Sequence, residues 1–190
     1  FHKMLGTSLI CNIFLVNKRP RILGKTVSSE DESYIFHGDS GPGSGEVRDL
    51  GAVSLQCGRR VDSLKWFLDW KFYGKKEFAR RVESALELCG YAESIVNFYD
   101  ELELVYPRTS FNICFRYRAG KKYADQINLE IRNSLYREGK SLVGYAGNVD
   151  GIFLRLLLAG PHMTNQDIDT YFAALVEKGR LLEGEYNDND

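Results

Sequence analysis

Between positions 78 and 99 the apolar residues of this chain keep a helical beat. Phe78, Val82, Ala85, Cys89, Ala92, Val96 and Tyr99 recur at alternating steps of four and three, the spacing that lines up side chains on one face of an α-helix. Glu77, Arg80, Arg81, Glu83 and Glu87 occupy the other faces. Core packing accounts for this stripe without a cofactor box. Just upstream, residues 61–73 are apolar and aromatic at helical spacing and stop near Gly74. The pattern therefore predicts one helix ending there and a second following it.

Further on, the period changes to two. Leu102, Leu104 and Tyr106 alternate with Glu101, Glu103 and Val105, and Phe111, Ile113, Phe115 and Tyr117 alternate with Asn112, Cys114 and Arg116. These are two strands, read as antiparallel neighbours. A helix over 121–138 aligns Ile127, Ile131 and Leu135. Two short strands are predicted near 141–146 and 152–158. Thr164 offers an N-cap with Asp167 three positions on, opening a closing helix that buries Ile168, Phe172, Leu175 and Leu182. The final EGEYNDND is acidic and expected to fray. No internal repeat is visible.

The beginning reads differently. Residues 4–16 look like one or two buried strands, rich in Leu, Ile, Phe and Val. A polar turn follows, then a polar and acidic stretch interrupted by Tyr34, Ile35 and Phe36, then GDSGPGSG at 38–45. Four glycines and a proline in eight residues mean a flexible loop, which composition alone reads as a surface linker.

Composition narrows the classes. Lys and Arg number 25, Asp and Glu 26, a net charge of -1 over 190 residues. That balance argues against a generic nucleic-acid or anionic-membrane binder. No apolar run reaches the roughly 20 residues that span a bilayer, and no signal-peptide cleavage pattern is present. Cys11, Cys57, Cys89 and Cys114 stand far apart, without a C-x-x-C pair. They read as reduced thiols of a cytoplasmic protein rather than as a zinc knuckle.

Two cations occupy apolar surroundings. Arg155 lies inside IFLRLLL, whose two faces are both apolar and so expected to be covered. A buried guanidinium needs an anion. The anion is either one of the chain's own carboxylates or a ligand carboxylate or phosphate, which Arg grips through two parallel hydrogen bonds. Lys3 precedes the first apolar run. Such a lysine either snorkels to water or is a desolvated amine able to form an imine with a carbonyl. His2 beside it adds a hydrogen-bonding imidazole or is simply a satisfied polar residue.

The order of these pieces resembles a known family. His2-Lys3-Met4 stands at a strand, a polar loop carries Tyr34-Ile35-Phe36, LQCGRRVDSLKWFLDWKFYG follows at 55–74, and FLRLLLAGPHMTNQDID lies near the end. From His2 to about Leu182 this is similar to the C-terminal part of a group II, pyridoxal-phosphate-dependent amino-acid decarboxylase, of the glutamate and cysteine-sulfinate decarboxylase family. Residues 55–74 are its most specific element. The resemblance implies an α/β fold, the C-terminal portion of a fold-type I (aspartate aminotransferase-like) enzyme ending in a small α+β domain. Residues 1–75 would end the cofactor-binding large domain, with a mobile loop over 24–48; residues 76–182 would form the small domain, and 183–190 an acidic tail.

Site roles follow from the resemblance alone. Lys3 matches the Schiff-base lysine that holds pyridoxal 5′-phosphate. His2 matches the histidine that contacts the cofactor. Tyr34 sits where the family carries a tyrosine on a loop closing over the neighbouring subunit's site, although the spacing from Lys3 is longer than usual. A phenol there can deliver a proton and favours simple decarboxylation. Arg155 matches an arginine that binds a substrate carboxylate. No metal is implied. The family's cofactor cradle precedes the lysine, so the resemblance implies a partner: the N-terminal half of the same enzyme, as a separate or cleaved chain. It also implies a homodimer of the complete protomer and a small acidic amino acid (glutamate, cysteine sulfinate or aspartate) as substrate. Two other classes stay open, a non-catalytic interaction module that kept the fold, and a pyridoxal-phosphate enzyme of another reaction type such as transamination or oxidative deamination.

Overall fold

The computed structural model describes residues 60–188, together with 4–8, 11–13, 15, 17, 22 and 26. The stripe beginning at Phe78 becomes the buried side of α1 (Asp62–Phe98). Phe78, Ala85, Cys89, Ala92 and Val96 are buried, and Val82 and Tyr99 pack at the margin of the core. Burial pushes the Cys89 thiol upward in pKa, so it acts as a small apolar filler. The predicted break falls at Gly74, whose φ of 67° and ψ of 175° interrupt the helix. A residue with a Cβ would hold that conformation only at a cost of about 1–3 kcal/mol. Across the break, Trp66 and Trp70 converge on Phe78, with ring centroids 5.0 and 5.8 Å away.

Four strands follow: β1 (Leu102–Leu104), β2 (Asn112–Tyr117), β3 (Gly144–Asn148) and β4 (Gly151–Leu157). They form an antiparallel sheet in the order β1-β2-β4-β3. The first two are the predicted pair. β3 starts later than its pattern suggests because Lys140 and Ser141 still donate to the Leu135 carbonyl at the end of α2 (Ala124–Arg137). The hairpin closes tightly, with Asn148 paired to Gly151.

Alternation fixes which side of the sheet is covered. Leu102, Ile113, Phe115, Tyr117, Leu154, Leu156 and Leu158 join one core with the apolar sides of α1, α2 and α3 (Asn165–Asp188). Ile127, Ile131 and Leu135 supply the α2 contribution, and Ile168, Phe172 and Leu175 that of α3, as their spacing predicts.

A single buried amide joins α2 to the sheet. Asn128 is fully buried. Its Oδ1 accepts from the Tyr117 backbone N–H at 2.9 Å, and its Nδ2 donates to the Tyr117 carbonyl at 3.0 Å and to the Ala124 carbonyl at 2.9 Å. The side chain satisfies the backbone N–H of the last β2 residue and adds a second donor to its carbonyl, which also accepts from the Ala119 N–H at 3.0 Å. Tyr117 itself lies against Gly179 of α3, and its hydroxyl donates to Glu183 Oε2 at 3.1 Å.

The ends of α3 show one agreement and one difference. Thr164 and Asp167 form the expected capping pair: Asp167 Oδ2 accepts from the Thr164 N–H at 2.8 Å, and the Asp167 N–H donates to Thr164 Oγ1 at 3.3 Å. The tail expected to fray is instead helical to Asp188. Glu183 is engaged by Tyr117, and Tyr186 packs against Tyr123 with the rings tilted by 42° and centroids 4.9 Å apart. These contacts outweigh the poor helix propensity of the last residues.

The expected strands over 4–16 do not form among the described residues. Met4 and Leu5 lie in a turn, the described residues from 6 to 15 have no strand geometry, and Met4, Ile13 and Leu15 are exposed. A strand needs a neighbour to satisfy its backbone, and no described strand lies alongside this segment.

Two outcomes are expected. Adding a Cβ to Gly179 would bring it 2.3 Å from the Tyr117 ring. Alanine normally gains up to about 1 kcal/mol over glycine in a helix, but overpacking a fixed core ring costs about 1–3 kcal/mol. Gly179→Ala should therefore lower stability in urea denaturation; a higher midpoint would contradict the close approach. The second outcome concerns acid. Hydrogen bonds from Lys140 and then Lys178 hold the Glu138 carboxyl down to about 2, against an ordinary 4.5. Since the folded value is the lower one, this contribution is complete above about 4.5 and fades as pH falls toward 2. Glu138→Gln should flatten the pH dependence of the denaturation midpoint across that window.

Candidate active site

The strand β4 sends Leu154 and Leu156 into the core, so Phe153, Arg155 and Leu157 point the opposite way. No described helix packs on that side. The sequence pattern led to a strand covered on both faces; the structure corrects this, since Arg155 is exposed and Leu157 is 44% exposed. Phe153 alone is buried there, under the edge of the Tyr106 ring 5.5 Å away. The physical reason is that all three helices of the unit pack against the same face.

Register places Cys114 of β2 and Gly144 of β3 on either side of Arg155. Gly144 has no side chain to shield the guanidinium stem. Cys114 accepts a hydrogen bond from Asn112 Nδ2 at 3.3 Å. One position along the sheet, Arg116 is engaged: its Nε lies 3.0 Å from Glu103 Oε1, and its Nη1 donates to the Asp150 carbonyl at 2.8 Å. The Arg155 guanidinium makes no hydrogen bond or ion pair with any described residue. Of the two readings of this arginine, the internal ion pair is not formed among the described residues. An unpaired guanidinium on an open face is available to a carboxylate or phosphate.

Lys3, His2 and Tyr34 lie outside the described residues. The nearest described backbone beyond the lysine is the turn at Met4 and Leu5. The Leu5 carbonyl accepts from Arg81 Nη1 at 3.3 Å. Arg81, only 12% exposed, also places Nε 3.2 Å from Glu77 Oε1 and stacks over the Tyr73 ring at 3.9 Å. Sequence reasoning assigned Arg81 to a polar helix face and missed this contact. It joins residues 76 apart, and no local pattern signals such a pairing. The held backbone at Leu5 fits a covalently bound aldehyde cofactor, whose lysine must be fixed in space.

Among the described residues no group of three or more His, Cys, Asp or Glu side chains could hold a metal ion. Cys89 and Cys114 are free thiols, Cys11 Sγ donates to the Asp62 carbonyl at 3.8 Å, and Cys57 lies outside the described residues. No described helix is long and apolar enough to cross a membrane.

Comparison with known proteins gives the family. The pyridoxal-dependent decarboxylase conserved domain matches residues 1–118. An L-aspartate decarboxylase of Metarhizium robertsii is 38% identical over 125 residues, 65% of this chain and 24% of that protein. The acidic amino acid decarboxylase of Xenopus tropicalis is 28% identical, covering 95% of this chain and 37% of that protein. The mouse cysteine sulfinic acid decarboxylase is 29% identical, covering 95% and 38%. The chain thus spans from about a quarter to two-fifths of the length of these relatives. Among solved structures, mouse CSAD in apo form has a TM-score of 0.65 at 27% identity, over 69% of this chain and 30% of that chain. Oryza sativa TDC with PLP and tryptamine has 0.66 at 24%, over 73% and 31%. The architecture is part of the fold-type I α/β class. With more than half of its length matched by the domain, the chain belongs to the pyridoxal-dependent decarboxylase family.

Proposed function

We propose that this chain is the C-terminal part of a pyridoxal-phosphate-dependent decarboxylase that converts an acidic amino acid into its amine and carbon dioxide. The observation that carries the reading is the open guanidinium of Arg155 in a chain of this family. Pyridoxal 5′-phosphate, when bound, supplies the electron sink. Lys3 is the amine that holds it covalently, and His2 contacts its phosphate. Arg155 grips a substrate carboxylate through two parallel hydrogen bonds and sets the orientation of the amino acid. The α-carboxylate leaves as carbon dioxide, and Tyr34, on a loop that excludes water when closed, delivers the proton that takes its place on the α-carbon. The substrate class rests on relatives whose names specify aspartate, acidic amino acids and cysteine sulfinate.

In this reading residues 1–75 end the large domain, 76–182 form the small domain and 183–190 close it. The remaining cofactor contacts come from the N-terminal half of the same enzyme, and the complete protomer works as a homodimer in the cytoplasm. Two features support a covering partner for this piece. The chain spans only part of its relatives, and α1 exposes Leu64, Phe67, Leu68 and Phe72 before its kink.

The test is an assay of the longer protein containing this chain, supplied with pyridoxal 5′-phosphate and with glutamate, aspartate and cysteine sulfinate in turn. Carbon dioxide and the matching amine are expected from at least one; a carbonyl product without carbon dioxide would replace decarboxylation by another reaction. Lys3→Ala should abolish turnover. Arg155→Met should lower kcat/KM by about 10²–10³-fold, the scale of truncating one member of a hydrogen-bonded charge pair. Arg155→Lys should recover little of it, because an ammonium cannot make the bidentate contact.

A further inference from the structure

We infer that Arg81 is a positioning residue for the cofactor lysine, tying the backbone just beyond Lys3 to α1 where that backbone packs against the segment that follows the Arg155 strand. The inference rests on the proposed role of Lys3 and goes beyond it. Arg81 is fixed on three sides. Glu77 holds its Nε edge, Tyr73 covers one face of the guanidinium, and Nη1 reaches the Leu5 carbonyl, two residues past Lys3. Tyr73 and Glu77 flank the Gly74 kink, so the arginine is oriented by groups on both sides of the bend.

On the far side of the same contact stands the chain that leaves β4. A Cβ built on Gly6 would lie 3.9 Å from Arg81 Nη1, from the Ala159 carbonyl oxygen and from Pro161 Cδ. The residues after Lys3 are therefore wedged between α1 and residues 159–161, which directly follow the strand bearing Arg155. Arg81 thus holds the Leu5–Gly6 backbone in the place where it packs against the segment that leaves the strand carrying Arg155. A misplacement of about 1 Å at such a spacing can cost about a hundredfold in rate. Lysine cannot replace it. One ammonium on a flexible stem cannot stack on Tyr73, pair with Glu77 and reach Leu5 together.

The test uses the longer holoenzyme with Arg81→Met, which keeps an apolar stem, and Arg81→Lys. Amide hydrogen exchange over residues 4–8 reads the tether directly. Borohydride trapping of pyridoxal 5′-phosphate on Lys3, followed by peptide mass mapping, and the pH midpoint of the bound coenzyme's absorbance read its consequence. Arg81→Met should speed exchange over 4–8 by about tenfold or more, slow trapping by about 10–100-fold and move the pH midpoint, while exchange within β2 and β4 stays unchanged. Arg81→Lys should recover only a fraction. Should Arg81→Met fail to fold, Glu77→Gln, which removes one orienting partner, should show the same changes at smaller size. Unchanged exchange over 4–8, or faster exchange with wild-type trapping and midpoint, overturns the positioning role alone. Wild-type protein that traps no coenzyme at Lys3 overturns the lysine assignment, and this role with it.

Discussion

The parity of two central strands governs everything else in this molecule. Ile113, Phe115 and Tyr117 on one, and Leu154 and Leu156 on the other, must face the helices together. That requirement sends Cys114, Arg116, Phe153 and Arg155 to the opposite side. A slip of one residue would exchange the two sets and drive two guanidinium groups into the core. The register is supported at one end by Asn128, which hydrogen-bonds both backbone groups of Tyr117. The position of the open arginine is thus a by-product of burying leucines and phenylalanines.

Much of the scaffold could be read from the chain because its signals are local. The stripe from Phe78 to Tyr99, the alternation around Phe115 and the capping pair of Thr164 and Asp167 each declare an element within a few residues. The break at Gly74 was equally visible. The boundary of α3 was not, because the contacts that extend it come from Tyr117 and Tyr123, far away in sequence. Tertiary packing overrode propensity there.

The site was legible in kind and less so in setting. Arg155 stands out in IFLRLLL as a charge among apolar residues, but hydrophobicity on both faces of a strand does not tell which face receives helices. Phe153 is apolar because Tyr106 covers it, while Leu157 is apolar on a surface that no described helix covers. The first strand-like run misled for a related reason. Hydrophobic residues between 4 and 16 announce burial, yet the partner that would make them a strand is not among the described elements. Arg81 gave no sign at all, since its meaning lies in a carbonyl 76 residues away.

The clustering of Trp66 and Trp70 about Phe78 has a practical corollary. These are the only two tryptophans in the chain, and both lie on the arm of α1 that precedes the kink. Indole fluorescence, excited at the long-wavelength edge where tyrosine does not absorb, is therefore a site-specific optical probe of the junction between the helix arm and the sheet unit, whose strands and remaining helices hold no tryptophan. Emission that changes while circular dichroism holds steady would mark loosening of that joint alone, a built-in gauge needing no added label.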